Sequence, residues 1–349
     1  MLLVFEAIMT AFAAPRQRGT FWIGGELCEE ACKTKTGLKT AARKLPYMST
    51  GPIARLWSNA WLLMFLTTLS WASNVIASRL AVGEISTMVL AGMRWPLACL
   101  MVLPFMGEQM RGSGEIVRRH WFYLLLMGGF GFTGYSALFY LAGAHTTGVN
   151  LSILLAVTPV FTVTMAWIAH RARMPMIFLL GLAMTLVAAM LIATHGNLGD
   201  LQSVAFNVGD LLIVSAALIY SVFTVALRYR PPMPSLAFFV AMSLFATLVA
   251  IPLVVAEWWA GTLFWPSPKG WLILIYSAAF PTLLAQVFYV RSVELIGPQR
   301  TGLFYNLVPV LGAMLSVVLL GEPFALYHGV ALLLVLGGIS IAESSRSRA

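Results

Sequence analysis

The sequence predicts an all-α integral membrane protein of ten transmembrane helices arranged as two inverted five-helix repeats, and three observations carry that prediction. Sixty per cent of the 349 residues are apolar and only 10% are charged, with a mean hydropathy of +0.86. That balance leaves too little polar surface to clothe soluble domains. Apolar runs of about 20 residues, the length that crosses a bilayer, recur along most of the chain. The membrane-like part is also duplicated. WASNVIASR, Trp71 to Arg79, is answered 149 residues later by YSVFTVALR, Tyr220 to Arg228. Phe139 and Tyr140 are answered by Phe288 and Tyr289 at the same offset, and VTPVF around Pro159 by LVPVL around Pro309 at 150.

The spans are expected near 60–80, 86–106, 121–142, 147–169, 175–194, 209–227, 235–256, 270–290, 300–320 and 325–343. Several joining loops are only a few residues long, so sequence neighbours must pack as antiparallel hairpins. Basic residues mark alternate gaps: Arg111, Arg118 and Arg119; Arg171 and Arg173; Arg228 and Arg230; Arg291 and Arg300; then Arg346 and Arg348 in the tail. The intervening gaps, around His145, from His195 to Asn207 and from Gly321 to Phe324, contain no Lys or Arg, and Glu257 to Lys269 holds one. By the positive-inside rule both termini are expected in the cytoplasm, which requires an even number of spans. Five helices per copy is odd, so the second copy must enter the membrane with opposite orientation. The expected organisation is an N-terminal extension over 1–55, a first repeat over 56–208, a second over 209–345 and a cytoplasmic tail over 346–349. Inverted duplication is the architecture of many secondary transporters, whose sites form near the midplane where the repeats face each other.

Several other chemistries are disfavoured. The net charge of +9 could suggest nucleic acid, but eight of the 22 Lys and Arg lie before residue 56 and most others sit in the short gaps. That distribution is topological, and no nucleic-acid partner is expected. Cys28, Cys32 and Cys99 make neither a disulfide framework nor a convincing metal site, and no cofactor is expected. Gly129 to Gly134 matches GxGxxG, but inside an apolar span with no preceding strand the match has no dinucleotide-binding meaning. The surrounding GGFGFTG supplies small residues that let helices approach closely.

The candidate site begins with Arg94, the one strongly charged residue near the middle of an expected span. Such placement costs about 2.5–3.5 kcal/mol even on gentle insertion scales, so the side chain should face the bundle interior or a wet cavity. It is either a fixed cation for a substrate carboxylate or phosphate, or a member of an internal pair with helix carbonyls or an acid. Its counterpart in the second repeat lies near Ser243, which is uncharged. Pro159 and Pro309, at matched positions, each break the backbone ladder of the fourth helix of its repeat; they are candidates for kinks that line the cavity, though most such prolines only shape packing. Around them stands a polar and aromatic set: Trp71, Asn74, Tyr140, Tyr220, Gln286, Tyr289, Asn150, Tyr305 and Asn306. Amide and phenol groups in apolar surroundings need partners, which they find in one another or in a ligand. Asp210 suits the positive end of the sixth helix, Glu294 lies near a cytoplasmic helix end and Glu322 near the outer face. No carboxylate is expected in mid-span, so no coupling group for a proton is evident. His145 and His195 are expected at helix ends, in solvent.

Taken in order, these segments resemble the EamA-type branch of the drug/metabolite transporter superfamily over about residues 57–345. The resemblance rests on the duplication itself, SWASNVIASR, the Arg94 of AGMRWPLA, FYLAGAHTTGVN leading into LLAVTPVF, GDLLIVSAALIYSVFTVALR, and LVPVLGAMLSVVLLGEPF. It implies a carrier of the bacterial-type inner membrane with a central cavity between inverted halves, often exporting amino acids or related metabolites. One departure is visible: the LLGE that carries Glu322 becomes IAHRAR in the first repeat, which puts a symmetric role for that acid in doubt. The expected activity is therefore secondary transport of a small metabolite by alternating access, acting in the bilayer as a monomer or homodimer and not as an enzyme. The alternative is a membrane-embedded lipid-modifying enzyme or a lipid scramblase, for which no HExxH or His and Asp constellation is found.

Residues 1–55 have no copy in the second half, and the opening MLLVFEAIMTAFAA lacks the positive start of a secretory signal. Met48 is expected to be the natural start, since MSTGPIARLWSNAWLL is a short basic lead into the first span. Mass spectrometry of the native protein should yield no peptide from residues 1–47; finding one would contradict that start.

Overall fold

The computed structural model describes residues 56–105, 112–170, 207–296 and 307–344, with positions 180, 181, 183, 184, 187, 188, 190, 191 and 196 between them. The chain divides after Asn59, and the helical bundle is the unit that begins at Ala60. All of its described elements are helical. They are α1 (Ala60–Leu80), α2 (Thr87–Val102), the short α3 (Ser113–Arg119), α4 (Trp121–His145), α5 (Gly148–Leu155), α6 (Thr158–His170), α7 (Val208–Ala226), α8 (Ser235–Trp259), α9 (268–296), α10 (Leu307–Leu320) and α11 (Leu326–Ser344). Among the described residues six stretches are long and apolar enough to cross a membrane: α1, α4, α5 with α6, α7, α8 and most of α9. The apolar helices Thr87–Val102, Leu307–Leu320 and Leu326–Gly338 are shorter. Most of the span expected over 175–194 and the start of that over 300–320 lie outside the described residues.

Local chemistry sets many helix ends. The Thr147 side chain accepts the Asn150 N–H at the start of α5, Asn207 accepts that of Asp210 at the start of α7, and Ser267 accepts that of Gly270 at the start of α9. Each satisfies a donor that the first helical turn leaves without an intrahelical partner. Gly83, Gly261 and Gly321, at φ 77°, 69° and 67°, turn the chain after α1, α8 and α10.

The fourth span differs from a continuous helix: it breaks between α5 and α6 at Ala156 and Val157. Pro159 has no N–H to offer the Leu155 carbonyl. The Thr158 hydroxyl takes that carbonyl instead, at 2.6 Å. The Leu155 carbonyl that the proline leaves without its backbone donor is thereby satisfied within the chain.

Both α4 and α9 contain a π-helical segment, Met127–Gly134 and Ala278–Leu284. These occupy corresponding places in the two copies, and π segments are rare and concentrate at functional positions. The glycines of the first let α4 approach α8 and α7. A Cβ added to Gly128 would stand 2.5 Å from the Met242 carbonyl oxygen and 3.0 Å from the Ala246 nitrogen.

Packing is reciprocal between the copies. α1 lies along α9 and α10, while its counterpart α7 lies along α4 and α6. α2 meets its own counterpart α8, and the π segment of each copy meets the second helix of the other. The α2–α8 crossing is antiparallel: Met88 faces Glu257, Gly92 faces Ala250 and Val254, and Cys99 faces Val240. α5 and α10 cross with the same sense, Gly148 against Ser316 and Gly312 against Ser152.

The turns are sorted by end as well. Glu84 accepts from Ser267 and from Lys269, the Ser86 hydroxyl donates to the Phe264 carbonyl, Thr146 donates to Asp210, and Glu322 accepts from Gly148 and Val149. Arg79 connects these groups through Gly143 and Glu322. The turns with few or no Lys and Arg thus gather at one end of the bundle. Toward the opposite end, Tyr123 near the start of α4 donates to the Ala226 carbonyl at the end of α7.

Because the Gly128 contact is with backbone that cannot rotate away, Gly128→Ala should lower stability by about 1–3 kcal/mol. A thermal melt of detergent-purified protein checks this; an unchanged midpoint would show that the approach of α4 to α8 is looser than described.

Candidate functional site

Arg94 lies in the middle of α2 and is only 6% exposed. Its Nη1 donates to the Tyr140 hydroxyl at 2.8 Å, and that hydroxyl donates to Asn74 Oδ1 at 3.0 Å. Three helices, α2, α4 and α1, therefore meet in one hydrogen-bonded relay. The guanidinium carbon stands 4.5 Å from the Trp95 ring centroid and 5.5 Å from that of Tyr140. At these distances ring quadrupoles attract a cation, by about 2 kcal/mol or more where water is excluded.

These contacts leave the charge unmatched. Arg79 pairs with Glu322 and Lys269 with Glu84, and neither acid reaches Arg94. Arg94 Nε is buried without a hydrogen-bond partner, as is the indole nitrogen of the adjacent Trp95. A guanidinium carries five N–H donors, and a carboxylate or phosphate is the group that uses several of them in one plane. Of the two roles open to Arg94 on sequence grounds, the internal pair with an acid is absent among the described residues. At the corresponding place in the second copy Ser243 is buried and uncharged, so the two copies differ in charge at this position.

Aromatic side chains fix this environment. Trp95 stacks on Phe132 at 4.2 Å, Phe132 lies against Phe223 and Phe239, and Tyr220 stands between Phe223 and Tyr135. Tyr135 continues through Phe139 to Tyr140 and so back to Arg94. Trp71 and Tyr289 form a second group, with ring centroids 5.6 Å apart, and Tyr220 lies near Tyr289 as well as Tyr135. Ser73 and Tyr276 hydrogen-bond across α1 and α9.

The residues that the sequence singled out separate into groups. Arg94, Tyr140 and Asn74 are joined directly, Trp71 and Tyr289 pair, and Tyr220 lies between the two groups. Gln286 is half-buried on α9, one turn before Tyr289. Asn150 pairs with the buried His328 at 3.2 Å and belongs to another part of the bundle. Pro159 marks the break between α5 and α6, and Pro309 is buried near the start of α10. Tyr305 and Asn306 lie outside the described residues. Sequence reasoning passed over Tyr135, Trp95 and Tyr276. Trp95 adjoins Arg94 and Tyr135 lies on the same helix as Tyr140, but neither has an aromatic counterpart that the duplication could flag.

The class defined by these features is a duplicated membrane protein, helical in its described residues, with a buried polar relay joining three helices of the first copy. The EamA-like transporter family matches residues 58–194 and again residues 207–343. The second match begins and ends 149 residues after the first, the offset found in the motifs. The chain belongs to the EamA-like transporter family. It is 24% identical over 310 residues to the uncharacterized transporter YetK of Bacillus subtilis (strain 168), covering 88% of this chain and 94% of that protein. The uncharacterized transporter YyaM of the same organism is 21% identical over 82% of this chain and 93% of its own length. The uncharacterized inner membrane transporter YicL of Salmonella typhimurium is 28% identical over 60% of this chain and 69% of its own length. One solved crystal structure shares the fold at a TM-score of 0.57 and 21% identity, covering 83% of this chain and 98% of that one. The protein is thus a membrane transporter by family.

Tyr140→Phe would remove both the acceptor for Arg94 and the donor for Asn74. A loss of about 1–3 kcal/mol is expected from leaving these groups buried and unsatisfied, read as earlier unfolding in a denaturant titration. Stability equal to that of the parent would mean the relay is not formed.

Proposed function

We propose that the protein is a secondary transporter that exports a small anionic metabolite, with amino acids the leading class, by alternately exposing a midplane site between two inverted five-helix repeats. The single observation that carries this reading is the buried guanidinium of Arg94, with no carboxylate partner among the described residues. A fixed cation in a membrane interior is costly, and an anionic ligand supplies the missing counter-charge. Trp71, Asn74, Tyr140, Tyr220, Gln286 and Tyr289 line the path in this reading. Asn306, Pro159 and Pro309 complete it from the fourth helix of each repeat.

The antiparallel crossings of α2 with α8 and of α5 with α10 support the inversion. A repeat related by an axis along the membrane normal would set such counterparts parallel. The sorting of turns supports ten crossings: a chain that returns to one end at 81–86, 146–147, 207–210, 260–267 and 321–325 must leave and come back between each pair. That end has few basic residues, which supports placing it outside, with both termini in the cytoplasm of a bacterial-type inner membrane.

The test is uptake of radiolabelled carboxylate metabolites into proteoliposomes carrying the purified protein, with Arg94→Lys and Arg94→Gln in parallel. Saturable movement by the parent, reduced about tenfold or more in Arg94→Gln, is the expected result. Parent protein that moves no small anion, or an Arg94→Gln variant that moves anions as the parent does, would overturn the proposal.

A further inference from the structure

Glu322 belongs to the turn between α10 and α11, far from Arg94 in sequence and outside its relay, and its side chain is 10% exposed. Its Oε1 accepts the Gly148 N–H at 2.9 Å and its Oε2 accepts the Val149 N–H at 3.0 Å. These are orphan donors of the first turn of α5, so a carboxylate from one copy caps a helix of the other. Arg79, at the end of α1, donates from Nε to Glu322 Oε1 at 3.3 Å and from Nη1 to the Gly143 carbonyl at 2.8 Å. The pair ties together the ends of α1 and α4, the start of α5, and the turn that joins α10 to α11.

Two steps along, the same hairpin grips α5 again. His328 accepts the Ala325 N–H on Nδ1 at 3.0 Å, which leaves Nε2 to donate to Asn150 Oδ1 at 3.2 Å. Below this clamp α5 and α10 touch through Gly148, Ser152, Gly312 and Ser316, where small side chains let the backbones close. Beyond the break at Ala156 and Val157, α6 packs on α7 and α11. The clamp therefore acts on the short half-helix α5, which the Pro159 break separates mechanically from α6.

The segment of the first repeat that matches LLGE reads IAHRAR and holds no acid. The two copies are thus unequal by sequence, and the structure bonds the Glu322 turn to the first turn of α5.

We propose that Glu322 and Arg79 form the gate residues of the outer end, holding the α10–α11 hairpin on the first turn of α5 when that end is closed and releasing it when the outer side opens. This rests on the transport reading and on its orientation in the membrane. Releasing the carboxylate frees two N–H donors of the first turn of α5. Glu322→Gln keeps the shape but carries no charge, and one amide oxygen cannot replace both carboxylate oxygens. Arg79→Gln breaks the same clamp from the other side, and Arg79→Lys retains the charge.

The experiment uses the full chain in intact cells, with Cys28, Cys32 and Cys99 replaced by Ser and a single reporter, Gln286→Cys, labelled by a membrane-impermeant maleimide from outside. The proposal expects slow labelling with the native pair. It expects labelling about tenfold or more faster in both Glu322→Gln and Arg79→Gln, and near-native labelling in Arg79→Lys. Labelling that is the same in all four proteins, or faster in only one of the two neutral variants, would overturn it. Gel filtration of each variant identifies any that has simply misfolded; if Glu322→Gln does so, Arg79→Gln against Arg79→Lys decides. Accessibility that shifts as expected while the parent chain with Gln286 intact moves no anion in proteoliposomes would keep the gate and remove the transport reading. Anion movement that depends on Arg94 with unchanged accessibility would do the reverse.

Discussion

Inside a bilayer no water stands ready to receive a polar group, so each buried donor, acceptor or charge must be satisfied by the protein or by something the protein binds. That constraint governs the whole chain. Buried hydroxyls on the helices mostly bond back to carbonyls one turn earlier: Thr67 to Leu63, Ser136 to Phe132, Ser292 to Phe288 and Ser316 to Gly312. The break in the fourth span survives because Thr158 takes the carbonyl that Pro159 abandons. Helix starts at one end of the bundle are capped by side chains, including the carboxylate of Glu322. Arg94 is the strongest departure among the described residues, since its full charge is met only by a phenol and two aromatic faces.

The relation between the two copies follows from the same constraint and from the repeat. Helices that correspond in sequence meet across the interface with opposite sense, and each π segment contacts the second helix of the other copy. Small residues make this approach feasible, as at Gly128 against the backbone of α8. The copies are nevertheless unequal in charge. Arg94 corresponds to Ser243, and Glu322 to a place in IAHRAR that holds no acid, so each of these two charges is carried by one copy alone.

Much of the helical fold could be read from the chain. Apolar runs gave the spans because length and composition suffice to define a membrane helix, and most described helices begin and end within a few residues of expectation. The duplication was legible because WASNVIASR and YSVFTVALR keep the same spacing as the wider family match. Arg94, Tyr140 and Asn74 were found because polar residues stand out in apolar runs. What the sequence concealed depends on packing. The π segments need a wider helical turn, a geometry that no side-chain pattern announces. The break between α5 and α6 was visible only as a proline, without the hydroxyl that completes it. Asn150 looked like a cavity residue by depth, yet its partner is His328, 178 positions away. Tyr135 and Trp95 were hidden among the many aromatics that line any membrane bundle.

The most direct test of the central claim, that Arg94 awaits an anion, is ligand binding at equilibrium, separate from any transport cycle. Detergent-purified parent and Arg94→Gln would be titrated with small carboxylates and with the matching uncharged amides, and the thermal midpoint followed. Binding to the folded state raises the midpoint in a concentration-dependent way. Saturable stabilisation of the parent by at least one carboxylate, absent with its amide and absent in Arg94→Gln, is the result predicted. Carboxylates and amides acting alike on the parent, or a carboxylate stabilising Arg94→Gln as well as the parent, would contradict it.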